Sequence, residues 1–374
     1  MPQGPPLRQT IALVGADSPV GRWLIALLGH RYDIIALSAD KVTEQTDQAV
    51  RWRWVDFYSI TSATEALRGA DFLLYLFHDA RPSTRLNQGS VADANLLLAD
   101  TVARAAVANR ITHVVLMGSV LGGERRFRTD DAPGSQREVE WLFSETELPL
   151  TILHLQAPRR DTGRPARLRR AAEHLLRFGT PRAQYAPDLP AGVFGNRAHF
   201  GRSFRISTQP LHEGHLRVLP PLPAAEPTRR EANTVRSYQR LVNPDRQPTL
   251  RIAKWYFQWL PHFLGNLVQT RRRRPNEVAF HVLGMPWPIL RMEHVEDRSN
   301  RERQLFYITG GLLVKRTDHG WLEFRNVMGG RYVMTAIHEF VPRLPWFLYI
   351  STQARLHLWV MNSFGNFLEE KAGA

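Results

Sequence analysis

The stretch "VGADSPVG" (14–21) sets Gly15, Ser18 and Gly21 three residues apart, directly behind the apolar run "TIALV" (10–14). Residues of these types at this spacing serve phosphate. Gly15 allows a tight turn, Gly21 lets a helix pack closely on a strand, and the middle position faces a pyrophosphate seated on the helix N-terminus. A serine in the middle carries a Cβ, which tightens the cradle, and a hydroxyl that can donate to phosphate. The chemistry implied is dinucleotide binding. His78 and Asp79 follow a second apolar run, "DFLLYLF" (71–77), at a strand end where cofactor and substrate meet in folds of this type. Other titratable groups carry less. His212 and His215, and the run Glu293, His294, Glu296 and Asp297, lack the helical spacing that would put two imidazoles and a base on one face. No nucleophile elbow, P-loop or paired catalytic carboxylates are visible.

The elements that would position these groups recur along the first part of the chain. Apolar segments at 10–16, 32–38, 71–77, 113–119 and 150–156 alternate with helical patterns, which predicts parallel strands joined by crossover helices. The clearest helical pattern covers 86–109, with Val91, Leu96, Leu98, Val102 and Val107 among its apolar positions.

Composition narrows the remainder. The chain has 374 residues and no cysteine, so disulfides and thiolate metal sites are excluded. Neither an apolar signal segment nor a run of about 20 uncharged apolar residues is visible, and the reading is a cytoplasmic protein, peripheral at most to a membrane. The net charge of +14 arises wholly in residues 151–374, because residues 1–150 carry slightly more acidic than basic side chains. Such a basic half attracts anionic lipid, nucleic acid or acidic substrates. "RRRR" (271–274) comes with no nucleic-acid motif, which argues against nucleic acid.

On these residues the first part resembles the atypical, NmrA-like branch of the extended short-chain dehydrogenase/reductase superfamily. The match rests on the "VGADSPVG" turn, "WVDFYSITSATEALRGAD" (54–71), "LLYLFHDA" (73–80), "HVVLMGS" (113–119) and "SQREVEWL" (135–142), and it covers residues 10–156. It implies an NAD(P)-binding Rossmann domain over 1–230, whose segment from about 157 covers a substrate. It also implies that Asp56 contacts adenine, that Phe57, Phe77, His78 and Val20 line the cofactor, and that Ser119 is the active-site serine. The family's Tyr-x-x-x-Lys pair, however, aligns with Ala132 and Gln136, neither of which titrates. Any proton would then pass through His78, Ser119 or water. The implied function is an oxidoreductase acting on an apolar or lipid-like substrate, or else a non-catalytic dinucleotide sensor or binding module. At the end of the second strand stand Ser38, Asp40 and Lys41. With Arg22 in reach of a 2′-phosphate, the reading leans to NADP over NAD.

The second domain is read as 231–374. "TLRIAKWYFQWLPHFLGNLV" (249–268) is aromatic and amphipathic. It suits either a helix at a membrane interface beside the arginine run or, better, a helix packed on the core with a solvated basic end. From 277 an antiparallel strand series follows, then one long helix over 345–370. Strands capped by a long helix resemble the helix-grip fold, and more narrowly a domain of unknown function fused behind atypical short-chain dehydrogenases. That resemblance implies an α+β domain with an apolar ligand pocket between sheet and helix. His338 and Glu339, adjacent in a strand, should point to opposite faces and not form a local pair.

Overall fold

The structure is a computed structural model that describes residues 8–40, 46–47, 50–76, 84–119, 132–156, 202–207, 234–272, 274–315 and 320–373. The chain forms two compact units: residues 1–79 with 95–228, and residues 80–94 with 229–374.

In chain order the elements begin with β1 (Thr10–Val14), α1 (Pro19–Leu28), β2 (Asp33–Ser38), β3 (Thr46–Asp47), β4 (Val50–Trp54), α2 (Ile60–Ala66) and β5 (Phe72–Leu76). They continue with β6 (Leu86–Gln88), α3 (Val91–Ala108), β7 (His113–Ser119), α4 (Ala132–Ser144), β8 (Leu150–Gln156) and β9 (Arg202–Ser207). The first unit is a sheet of order β3-β4-β2-β1-β5-β7-β8-β9, parallel throughout except for the short β3. β1 and β5 are buried at every position, as central parallel strands covered on both faces must be. Ile11, Leu13, Leu24, Leu28, Ile34 and Leu74 belong to one apolar cluster that ties α1 to the sheet. This is the expected Rossmann-type α/β fold.

The second unit contains β10 (Val235–Val242), α5 (Thr249–Phe263), β11 (Val268–Arg271), β12 (Glu277–Val282), β13 (Pro288–His294) and β14 (Arg303–Gly310). β15 (Trp321–Val327), β16 (Tyr332–Phe340), α6 (Trp346–Ser351) and α7 (Gln353–Gly373) complete it. Its sheet runs β11-β12-β13-β14-β15-β16-β10-β6, antiparallel except where β6 pairs parallel with β10. α5 and α7 share one apolar cluster with alternate strand residues such as Phe280, Phe306, Phe324 and Val333. Tyr256 and Phe257 of α5 lie with Phe306, Phe324 and Phe364 at ring separations of 5.1–6.3 Å. The space between sheet and helices is thus packed with the chain's own aromatics.

Four expectations are corrected. The helix expected over 86–109 starts only at Val91, because 86–88 is strand and Gly89 breaks the pattern; a Cβ on Gly89 would meet the Tyr238 ring at 2.2 Å. Ser90 caps the helix, its Oγ accepting from Asp93 N at 3.0 Å and donating to Asp93 Oδ2 at 2.7 Å. A single cut near 230 does not separate the units, since residues 80–94 group with the second. The aromatic helix ends at Phe263, where Gly265 and Asn266 turn through positive φ into β11. It buries Ile252, Ala253, Tyr256, Phe257 and Leu260, so of the two readings the core helix is the observed one. The final helix is broken at Thr352 (φ −122°, ψ −78°) into α6 and α7.

Candidate functional site

The C-terminal ends of β1, β2 and β4 lie side by side, with Val14 opposite Leu37 and Ser38 opposite Trp54. Gly15, Ser38 and Asp56 therefore stand at one edge of the first sheet. Gly15 turns the chain at φ +80°, and its carbonyl accepts from Ser18 N at 3.1 Å and from Ser18 Oγ at 2.7 Å. Ser18 is the N-cap of α1: its Oγ accepts from Gly21 N at 2.9 Å. The hydroxyl proton goes to Gly15, so phosphate donors in this turn must be backbone amides. Pro19 has none, Gly21 and Arg22 are engaged by Ser18, and the remaining first-turn amide is that of Val20. A Cβ on Gly21 would stand 2.2 Å from the Gly15 carbonyl oxygen, so only glycine closes the turn. No acidic residue lies in the first turn of α1, which leaves the helix dipole free to favour an anion.

At the end of β2, Ser38 is buried and its Oγ accepts from Asp40 N at 3.1 Å; Asp40 is exposed. Beyond β4, Asp56 uses Oδ1 to accept from Tyr58 N at 3.1 Å, and its own N–H donates to Ser62 Oγ at 3.0 Å. Phe57 is buried beside it. Phe77, His78, Asp79 and Lys41 lie outside the described residues, as do His212, His215 and, apart from β9, the segment that was to cover a substrate; Ser119 is described in its backbone only, as the last residue of β7.

Gln136 is informative. Gln136 is buried on α4, its Nε2 donating to Glu140 Oε1 at 2.8 Å, and it presses on Gly118, where a Cβ would meet Nε2 at 2.0 Å. Burial pushes the Glu140 carboxyl up, against the opposing pull of the Gln136 hydrogen bond and the Arg137 charge. That Gln136 does not titrate is legible in the sequence; its packing against Gly118 and its bond to Glu140 are not. The signal was "MGS", a glycine late in an apolar strand, which marks close approach of another group.

In the second unit His338 and Glu339 take different partners, as expected of neighbours in a strand. His338 is fully buried with Nε2 3.5 Å from Glu323 Oε2 and its ring stacked on Trp321 at 4.8 Å, while Glu339 lies 3.6 Å from Arg236. Glu323 accepts from Arg325 Nη2 at 2.9 Å on each oxygen and also from Arg303. Burial alone would raise the Glu323 carboxyl, but Arg325 and Arg303 hold it well below the usual carboxylate range. Of the "MEHVED" residues, His294 bonds Gln304 Oε1 at 2.8 Å, and Glu296 and Asp297 sit in a short 3-10 turn.

The first unit is thus of the Rossmann class, with a glycine–serine–glycine turn at its strand ends. No family model matches the chain. It is 20% identical over 360 residues to the auxiliary protein GraX of Staphylococcus aureus, a match covering 96% of this chain and 92% of that one. Among solved structures it is similar to the enzyme WbmH of Bordetella bronchiseptica in complex with NAD+, at 13% identity and a TM-score of 0.33, over 45% of this chain and 64% of that one. It is also similar to triphenylmethane reductase of Citrobacter sp. complexed with NADP(H), at 20% identity and a TM-score of 0.30, over 38% of this chain and 48% of the reductase.

Proposed function

We infer that the first unit binds a nicotinamide dinucleotide as a ligand, without the tyrosine–lysine proton chemistry of short-chain reductases. The observation that carries this is the turn Gly15–Gly21, closed on itself by Ser18 at the head of a ten-residue helix with no carboxylate in its first turn. The turn fits a pyrophosphate: a backbone amide and the positive end of the helix dipole face it. Asp56 and Phe57 would take the adenine side. Arg22, with the buried hydroxyl rather than a carboxylate as the last residue of β2, supports NADP over NAD. Gln136 supports the non-catalytic reading, because an amide locked on Glu140 neither holds a ribose by charge nor lowers a tyrosine's pKa.

The test is titration of the full chain with NADPH and NADH, followed by nicotinamide fluorescence and thermal shift. The expected result is saturable binding, tighter for NADPH, lost in Gly21→Ala, with no oxidation of the bound nucleotide by apolar carbonyl compounds. Turnover of the nucleotide would establish the oxidoreductase reading, with Ser119, His78 or water carrying the proton. Absence of binding in a folded sample would overturn both.

A further inference from the structure

We propose that one end of the second unit's sheet is a docking surface for an anionic lipid bilayer. At this end β12 finishes and β13 begins, β14 finishes, and β16 runs out towards α6, and the connecting loops are stitched together by their backbones. Leu283 N donates to Leu267 O at 2.8 Å, Leu312 N to Pro288 O at 3.0 Å, and Arg343 N to Leu313 O at 3.0 Å. Val314 bridges Pro342.

From this stitched end large apolar side chains point into solvent. Leu283 is 63% exposed and Trp287 65%, with Leu267 and Met285 beside them. The chain then leaves through Arg343 into α6, where Phe347 is 68% exposed and Leu348 and Ile350 are also exposed. Isolated exposed leucines are ordinary, but Leu267, Leu283, Met285 and Trp287 on adjoining loops, with Phe347 exposed a few residues beyond the stitched Arg343, mark an interaction surface. The helix that looked amphipathic in the sequence is not part of it; that helix spends its apolar face on the core.

Charge selects the occupant. No Asp or Glu occurs in 246–276, 278–292, 303–316 or 340–368, which supply most of these loops, α6 and most of α7; the β14–β15 connection adds one acid, Asp318, outside the described residues. The acids of the same hairpin, Glu277 and Glu293, pair with each other in register at the far end of β12 and β13. Glu339, at the near end, has Arg236 as an ion partner. Lys315 and Arg343, both tied by their backbones to this end, are exposed beside the apolar side chains, and Arg355 is exposed on α7. Aromatic and aliphatic side chains ringed by Lys and Arg match the interface of an anionic bilayer, where rings sit at headgroup depth and each cation gains from the negative surface. A second copy fits poorly, because a two-fold contact would set these cations against their own images.

The experiment is co-sedimentation of the full chain with vesicles of phosphatidylcholine alone or mixed with phosphatidylglycerol. The expected result is binding to the mixed vesicles that weakens as salt is raised. The double variant Trp287→Ser/Phe347→Ser, both sites exposed, should retain its Tm and bind roughly tenfold or more weakly. Lys315→Ala/Arg343→Ala should reduce the preference for phosphatidylglycerol. The proposal is overturned if the unaltered chain stays in the supernatant with mixed vesicles, or if the serine variant pellets equally. It is also overturned if sedimentation velocity finds a dimer that the serine variant dissolves, which would make the patch a contact between copies.

Discussion

In the first unit the polar side chains of the candidate site stand at or just beyond the strand ends: Ser18, Ser38 and Asp56 each bond to backbone within a few residues. In the second unit, among the described residues, a polar cluster stands inside the sheet, where Glu323 and Arg325 in the middle of β15 meet Arg303 of β14 and His338 of β16. The same residue types face opposite energetic conditions. Past a strand end, water or a ligand replaces a lost partner and changes are cheap. In mid-strand, with Glu323 and Arg325 wholly buried, removal of one charge strands the others.

The largest effect is therefore expected at Glu323. Glu323→Ala leaves the Arg325 and Arg303 guanidinium groups without their shared carboxylate and should cost about 3–5 kcal/mol in urea unfolding. A loss under 1 kcal/mol would break the contrast between the units. The next is a pH effect in the second unit. Burial pushes the His357 imidazole down to about 4, and its Nε2 has no hydrogen-bond partner. The unfolded chain takes up this proton near its ordinary value, the folded chain only near 4. Stability is then full above pH 6.5 and falls by up to about 3 kcal/mol as pH drops to 4. In His357→Gln the slope across that window should flatten; an unchanged slope would assign it elsewhere. The smallest effect belongs to the first unit: Ser18→Ala removes the cap of α1 and should cost about 1 kcal/mol. It sharpens the comparison, because nucleotide affinity should fall by more than stability does, a difference that fluorescence titration beside urea unfolding would resolve.

The parts legible in the sequence are those where backbone geometry dictates residue type. The glycine turn was one, since only glycine fits at position 21, and the buried parallel strands were another, since continuous apolar runs have few other uses. β6 was not legible. Leu86–Asn87–Gln88 carries no apolar run, and its strand character comes from pairing with β10. Nor was the Glu323 cluster legible: in "LEFR" Leu322, Glu323, Phe324 and Arg325 are all buried, so both faces of β15 are covered where its alternating polar and apolar residues signal only one buried face. The candidate site was half legible. The turn came from its residue types and spacing and Asp56 with the resemblance, but the packing of Gln136 on Gly118 depends on how close a helix lies to a strand, which spacing does not encode.

The pairing of β6 with β10 also bears on how the protein is made. Leu86 leaves the ribosome long before Val235, its partner in the sheet. Until then three strand-forming residues wait without a mate, and the closing of so long a loop comes late and slowly. An expression clone that begins at residue 231 would produce β10 with a bare edge, ready to pair with another chain. A clone that stops near residue 230 would produce the opposite orphan. The chain is therefore best regarded as a single folding task, divisible in space but not by scissors.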